Sequence, residues 1–433
     1  MPGGGRMESI PREVPVKLNR RIPPVWVTGL SNGTLGFVTG VVSFVLPQLL
    51  AGEGVPEAKI AAITALAMSP NFWAVIFGPV LDVRFSRRWY ATGLAGLAAV
   101  SSAVAVLSLH HLVVLELAML VSAASGILAS SALGGWLANV VPQQDKNVLS
   151  KWMNIAVVSG SGVVAAVGAE LVRHLPVAVA AAALGAIVFS PAVIFLWIPA
   201  PGPDRRLASE SFGQFNREVL ALLRKRQVLV VLLLFLSPCS SFVLPNLLGG
   251  LGADFHAFGR VVSLAGGVGA FVPGILGCVV FPVIARRLPL RFFYLANGVA
   301  GSLFTLSLIA LPHAPWTFAL ALFGEFLFQA VAFSIQVGIV FEAIGPENPL
   351  AATTFAFLTS ATNVPVTLVM LADGHAYSAA GIRGTLATDA LIGITTCLLA
   401  GLLLARFDRV MRGPAAGSAR LTEALPEENG SAG

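Results

Sequence analysis

For most of its 433 residues the chain consists of long apolar runs separated by short polar joints, many of which carry glycine or proline. A helix needs about 20 mostly apolar residues to cross a hydrocarbon layer about 30 Å thick, and only a helix or a closed barrel satisfies every backbone group there. Runs of that length fill the sequence, and the short alternations of a barrel strand do not. The pattern predicts an all-α integral membrane protein with twelve transmembrane helices. They fall at 24–50, 58–81, 89–109, 112–138, 151–172 and 176–198, then at 228–250, 259–284, 291–311, 315–341, 350–371 and 384–405.

The two sets of six are related copies. Ser43-Phe-Val-Leu-Pro47 opens a segment, Ser43 to Val55, that returns 198 positions later as Ser241 to Ala253, with nine of thirteen residues identical. In nearly the same register, Gly78 precedes Arg87-Arg88 by nine positions and Gly277 precedes Arg286-Arg287 by nine. Soluble repeat arrays have periods of about 20–50 residues, whereas two long apolar halves are a common plan for transporters. The expected division is a tail at 1–22, a six-helix bundle at 23–199, a central loop at 200–227, a second bundle at 228–406 and a tail at 407–433. Within the central loop, 211–224 has the makings of a surface amphipathic helix. The tails, rich in glycine, proline and charge, are expected to be disordered.

Composition agrees with the pattern. At 56% hydrophobic and 11% charged, against about 25% charged in soluble domains, the chain could not cover a water-facing surface. Of its 27 Lys and Arg residues, 23 fall in the two tails and the even-numbered loops, leaving Lys59, Arg173, Arg260 and Arg383 on the opposite side. Basic residues concentrate in cytoplasmic loops, so the expectation is a cell (inner) membrane protein with both termini cytoplasmic. The net charge of +6 then reflects topology and anionic lipid headgroups, with no call for a nucleic acid partner. The first apolar run is too long for a cleavable leader and is expected to stay as an anchor. Cys239, Cys278 and Cys397 have unrelated spacings, which favours packing over a disulfide or a metal. The six histidines fall in outward loops without ligand spacing, and no cofactor or metal is expected.

The strongest local motif is Gly78-Pro-Val-Leu-Asp82-Val-Arg84-Phe-Ser-Arg87-Arg88, at the turn between the second and third helices. It resembles the loop signature of the major facilitator superfamily, a glycine, an aspartate four residues on, then a basic cluster. A weaker copy at Gly277…Arg286-Arg287, with Phe281 in place of the aspartate, occupies the turn where that superfamily repeats it. Gly78 would let two helices approach closely, and Asp82 can accept from amides at a neighbouring helix start while pairing with an arginine. Such a contact holds one face closed and breaks when that face opens. The alternative is that Arg84, Arg87 and Arg88 merely fix topology. Within the superfamily, the segments from Phe72 to Asp82 and from Ala352 to Ser360 resemble the branch of bacterial muropeptide permeases and acetyl-CoA transporters. That branch tends to carry a lysine and a tryptophan where Ala74 and Phe77 stand.

An ionisable residue at bilayer depth costs about 2.5–3.5 kcal/mol on insertion scales and is usually functional. Glu325 lies well inside the tenth helix, and Gln329 at i+4 and Gln336 at i+11 share its face. The functional reading of Glu325 is a carboxyl that takes up and releases a proton as a cavity alternates between the two sides, since desolvation favours a carboxyl's neutral form. The bland reading is an interhelical hydrogen bond. The resemblance implies that the first, fourth, seventh and tenth helices line a central cavity. These carry Asn32, Thr39, Ser43, Gln48, Glu116, Ser237, Ser240, Asn246, Glu325 and Gln329. Glu116 sits about one turn inside the outer boundary and can snorkel to it. Pro47 and Pro245, each deleting a backbone hydrogen bond, would bend the first and seventh helices, and Gln48 and Asn246 beside them could form a paired outer gate.

These observations point to a secondary active transporter, acting as a monomer, that moves a small solute by alternating access with proton coupling. Few basic residues face the implied cavity, which favours an uncharged or amphipathic solute. The alternatives are a non-transporting sensor or scaffold with a transporter fold, or a passive facilitator. An enzyme is disfavoured, because the histidines have no carboxylate at useful spacing and there is no phosphate loop.

Overall fold

The computed structural model describes residues 22–83, 85–200, 224–242, 244–245, 251–257, 269–345 and 348–412, with Arg217, Leu220, Ala221 and Val261 besides. All regular structure among them is helical. Nine helices among the described residues are long and apolar enough to cross a membrane. Val25–Gly52, Lys59–Asp82, Arg87–Leu107, Leu112–Val140, Gln143–His174 and Val177–Leu196 match the first six predicted spans, and Leu290–Ala310 and Pro315–Ile344 match the ninth and tenth. Arg226–Phe235 and Gly269–Ala285 are shorter apolar helices that overlap the predicted seventh and eighth spans, the rest of which lies partly outside the described residues. The amphipathic segment at 211–224, most of the central loop and most of both tails also lie outside them. The chain is a multi-pass membrane protein.

The last helical stretch, Ala351–Arg406, covers the eleventh and twelfth predicted spans. It folds back at Ala380 and Gly381, where Gly381 has φ 62°, a backbone conformation that glycine adopts without strain. Across this turn Thr385 Oγ1 donates to the Asp373 carbonyl at 3.4 Å. The eleventh helix therefore runs on past Asp373 and His375, well beyond the predicted end at 371. Polar residues there read as a loop, yet they occupy helical turns.

Prolines punctuate the helices. Pro24, Pro56, Pro176 and Pro289 are N-caps with φ between −50° and −59°, close to the value the pyrrolidine ring imposes. Pro47 acts inside a helix, as the sequence implied. It offers no N–H to the turn before it, and Val41–Val45 widens there into a π-helical turn in which the Leu46 amide donates to the Val41 carbonyl.

The buried apolar residues form three large clusters, and their placement fixes where the two halves of the chain meet. One cluster joins both halves at the face that bears Arg87, Arg88, Arg286 and Arg287, the arginine-rich face. It contains Leu81, Trp136, Leu137 and Met153 from before residue 200, and Phe235, Phe281, Phe341 and Phe355 from after 225. The other two lie towards the opposite face, and each belongs to one half. Val38, Leu46, Ile63, Val106 and Leu115 represent the first, and Leu244, Phe255, Phe318, Leu322 and Leu386 the second. The halves are thus fused at one face and separate towards the other.

Candidate functional site

At the arginine-rich face, the Ala74–Asp82 segment is a 3₁₀ turn containing Pro79, and it delivers Asp82 to the first turn of the helix Ala351–Ala361. The Asp82 carboxylate is buried, and Arg87 Nε donates to its Oδ1 at 2.7 Å. It also accepts from the Ala352 amide at 3.2 Å, the Thr353 amide at 2.7 Å and Thr353 Oγ1 at 2.6 Å. Arg87 Nη2 donates across the same seam to the carbonyls of Asn348 at 3.3 Å and Pro349 at 2.5 Å. A negative charge at a helix N-terminus is favoured by the dipole and the free amides, and the buried arginine completes the compensation. An added Cβ on Gly78 would lie 3.1 Å from Ala356 Cβ, so glycine there sets the close approach of the second and eleventh helices. Ser150 Oγ, donating to the Ser334 carbonyl at 2.5 Å, fastens the fifth helix to the tenth nearby. Together these bonds form a latch between the halves.

Beyond the latch lies a cavity of about 540 Å³ lined by both halves. Its floor includes Met153, Phe235, Val340 and Phe355, all members of or packed in the shared cluster, so entry from the arginine-rich face is blocked. Its polar lining among the described residues consists of carboxamides and hydroxyls, including Asn32, Asn71, Asn154, Gln329, Gln336 and Asn363, with no ionisable side chain among them.

The stripe on the tenth helix docks onto an unwound part of the seventh. Past Phe235 that chain leaves the helix through turns up to Ser241, which frees backbone groups that must find partners at membrane depth. Gln329 Nε2 donates to the Ser240 carbonyl at 3.0 Å, and Gln336 Nε2 to Ser240 Oγ at 3.0 Å and to Tyr294 Oη at 2.8 Å. Glu325, fully buried, accepts from the Leu244 amide at 2.8 Å and from Thr305 Oγ1 at 2.8 Å.

Of the residues singled out from the sequence, Asn32, Thr39, Ser240, Pro245, Gln329 and Gln336 line the cavity, and Glu325 lies one helical turn from Gln329 without lining it. Gly78, Asp82 and Arg87 meet in the latch; Arg88 beside them is half-buried and outside it. Arg84 and Asn246 lie outside the described residues. Gln48 is exposed and does not line the cavity. Glu116 accepts from Lys59 Nζ at 2.5 Å near the opposite face, away from the cavity. Sequence reasoning passed over Asp373, which is buried with its Oδ1 unpartnered among the described residues. It fell in a segment read as a loop, two residues beyond the predicted end of the eleventh helix at 371.

No protein-family profile and no curated protein sequence matches the chain. Solved structures do. The crystal structure of the human organic anion transporter MFSD10 (TETRAN) aligns at TM-score 0.62 with 18% identity, covering 87% of this chain and 98% of that one. The proton:xylose symporter XylE bound to 6-bromo-6-deoxy-D-glucose aligns at 0.63 with 16% identity, covering 86% and 94%. The major facilitator superfamily transporter FucP in its outward conformation aligns at 0.66 with 14% identity, covering 88% and 98%. The fold is the major facilitator fold. In it the latch and the cavity occupy one face and the centre of the same helical array.

Proposed function

We propose that the protein is a secondary active transporter, working as a monomer in the cell (inner) membrane, that moves a small solute by alternating access. The observation that carries this reading is the asymmetry of the cavity. Two halves meet in a buried, charge-assisted latch at one face, while the polar cavity beyond it is sealed from that face and flanked by two separate clusters. With both termini and the arginine-rich loops cytoplasmic, this is the outward-facing arrangement, and the two bundles at 23–199 and 228–406 are the moving bodies. Proton coupling through Glu325 belongs to the same proposal. Among the described residues its carboxyl accepts from a backbone amide and a hydroxyl, partners that suit either protonation state, because Thr305 Oγ can also accept from a carboxylic acid.

The affinity with the muropeptide-permease and acetyl-CoA-transporter branch is also proposed, and is supported by the meeting of its two segments. Gly78 packs on Thr353 and Ala356, and Asp82 bonds Ala352 and Thr353. A cavity whose described lining has no basic side chain offers a polyphosphate no counter-charge there, and favours an uncharged or amine-bearing solute over acetyl-CoA.

Reconstitution tests the reading. Accumulation of a solute in proteoliposomes under an imposed proton gradient supports it; absence of both accumulation and exchange for every solute that binds the protein refutes it. One observation favours the passive facilitator instead, namely that Glu325 does not line the cavity. Exchange that proceeds without any gradient-driven accumulation would establish that alternative.

A further inference from the structure

The cavity has a hydrogen-bond polarity as well as a composition. Asn71 Nδ2 donates to the Met68 carbonyl at 2.9 Å, Asn363 Nδ2 to the Asn71 carbonyl at 3.2 Å, and Gln329 Nε2 to the Ser240 carbonyl at 3.0 Å. Asn154 spends Nδ2 on two carbonyls, those of Ser150 at 3.0 Å and Phe333 at 3.4 Å. A carbonyl can only accept, so in each of these the nitrogen is oriented by the protein, and the side-chain oxygen accepts no donor among the described residues. The hydroxyls follow suit. Thr39, Ser131 and Thr359 donate to the carbonyls four residues earlier in their own helices, at 2.9, 2.9 and 2.7 Å. Their lone pairs, and not their hydrogens, are what the cavity receives.

The charges behind the lining point the same way. Buried basic residues among those described are Arg87 and Lys146, both at the arginine-rich face, whereas Glu325, Asp373 and Asp389 are buried on the carboxy-terminal side of the cavity. Whatever fraction of these carboxyls is ionised favours a cation in the cavity and disfavours an anion.

We propose that the cavity selects solutes that carry a protonated amino group, held by side-chain carbonyl and hydroxyl oxygens in place of water. The proposal rests on the transporter reading, since it names what enters the same cavity. A ring of neutral oxygens can replace the hydration shell of a cation, and an ammonium, with three donors and no acceptor, suits a lining that offers carboxamide oxygens and hydroxyl lone pairs while committing at least one N–H of Asn71, Asn154, Gln329 and Asn363 to the protein. An anion would meet lone pairs with nothing to compensate its desolvation.

The test is binding of matched probes to the full-length protein in detergent, read by thermal shift and by equilibrium dialysis. One series is glucosamine, glucose and glucuronate; the other is butylamine, butanol and butyrate. The amine of at least one series is expected to bind roughly tenfold tighter than its neutral analogue, the gain of a charge-assisted over a neutral hydrogen bond, and the anion most weakly. Equal affinities, an anion preferred, or no response to either amine would overturn the proposal. Ser360→Asp, a change at a cavity-lining position, should strengthen amine binding and leave the neutral probe unchanged. Thr359→Val should weaken amine binding with the unliganded melting temperature retained. Accumulation of a neutral or anionic solute in proteoliposomes would leave the transporter reading standing while this one fell; amine binding without transport would do the reverse.

Discussion

Replacing Asp82 by Asn tests the latch directly. The carboxylate takes four donors, one from a buried arginine and three from the first turn of the eleventh helix. Removing one partner of a buried ion pair costs about 3–5 kcal/mol, and Arg87 keeps two carbonyl acceptors, so the lower end applies. A loss of about 3 kcal/mol from the closed state alone shifts the closed-to-open ratio by roughly 100-fold or more, since the open state exposes the same groups to water. Val340 is fully buried on the cavity floor and suits a reporter. In a background with Cys239, Cys278 and Cys397 changed to Ser, a Val340→Cys reporter in inside-out vesicles is treated with a membrane-impermeant maleimide. Adding Asp82→Asn should raise the labelling rate by up to about 100-fold, until labelling itself becomes limiting. A rate within about twofold of the parent would refute the latch. An equal rise with Arg88→Gln would show instead that the basic cluster, and not the carboxylate, holds the face shut.

Further outcomes follow from the same geometry. Glu325→Gln should abolish gradient-driven accumulation while leaving exchange partly intact, because an amide cannot cycle a proton; unimpaired accumulation in proteoliposomes would reject the coupling role. Gln329→Leu removes both a cavity wall and the donor to Ser240, and should lower solute affinity by about tenfold, measured by dialysis, with a melting temperature lowered by several degrees. Gly135→Leu should impair closure of the arginine-rich face, since an added Cβ there collides with the backbone of Ala352; the Val340→Cys reporter would then label faster without any change in charge. Thr353→Val deletes one of the four donors to Asp82 and should give a labelling rate between those of the parent and Asp82→Asn.

The array of spans was legible because membrane depth imposes one rule on every segment, and long apolar runs express it without reference to neighbours. The motif was legible for a related reason. Gly78, Asp82 and Arg87 lie within ten residues of one another, so their spacing carries most of the latch. The pairing across it was not, because Thr353 reaches Asp82 only through the fold, and although its segment carried the branch resemblance, nothing there named Asp82 as its partner. Glu325, Gln329 and Gln336 showed as a stripe from helical periodicity alone. That the stripe satisfies backbone groups of an unwound seventh helix depends on where that helix breaks, and Ser237, Pro238 and Ser241 signalled it only weakly. The contact between Cys239 and Cys397, Sγ to Sγ 3.4 Å, joins two spans at spacings that predicted no relation. Asp373 was lost to a boundary placed two turns early.

One helix links the parts of this site. Pro315–Ile344 has 30 residues and at 1.5 Å per residue is about 45 Å long, enough to cross the whole bilayer. Near its middle it presents Glu325 and Gln329, and at its end the Ile344 carbonyl accepts from Asn348 Nδ2 at 3.0 Å. The Asn348 carbonyl in turn accepts from Arg87 and from Asn139 Nδ2, each at 3.3 Å. A displacement of the tenth helix that repacks Glu325 or Gln329 therefore reaches latch acceptors within one short turn of chain. Contiguity alone does not establish coupling; both ends must bias one two-state element. In the proposed alternating-access cycle the latch would be such an element, and linkage requires the effect to be reciprocal. If solute binding lowers the labelling rate of the Val340→Cys reporter by some factor, the open face must weaken solute binding by that same factor, so Asp82→Asn should lower the apparent affinity of the resting protein. Labelling that responds to solute while Asp82→Asn leaves the affinity unchanged would mean that the solute shields the reporter, which lines the cavity, and does not bias the latch.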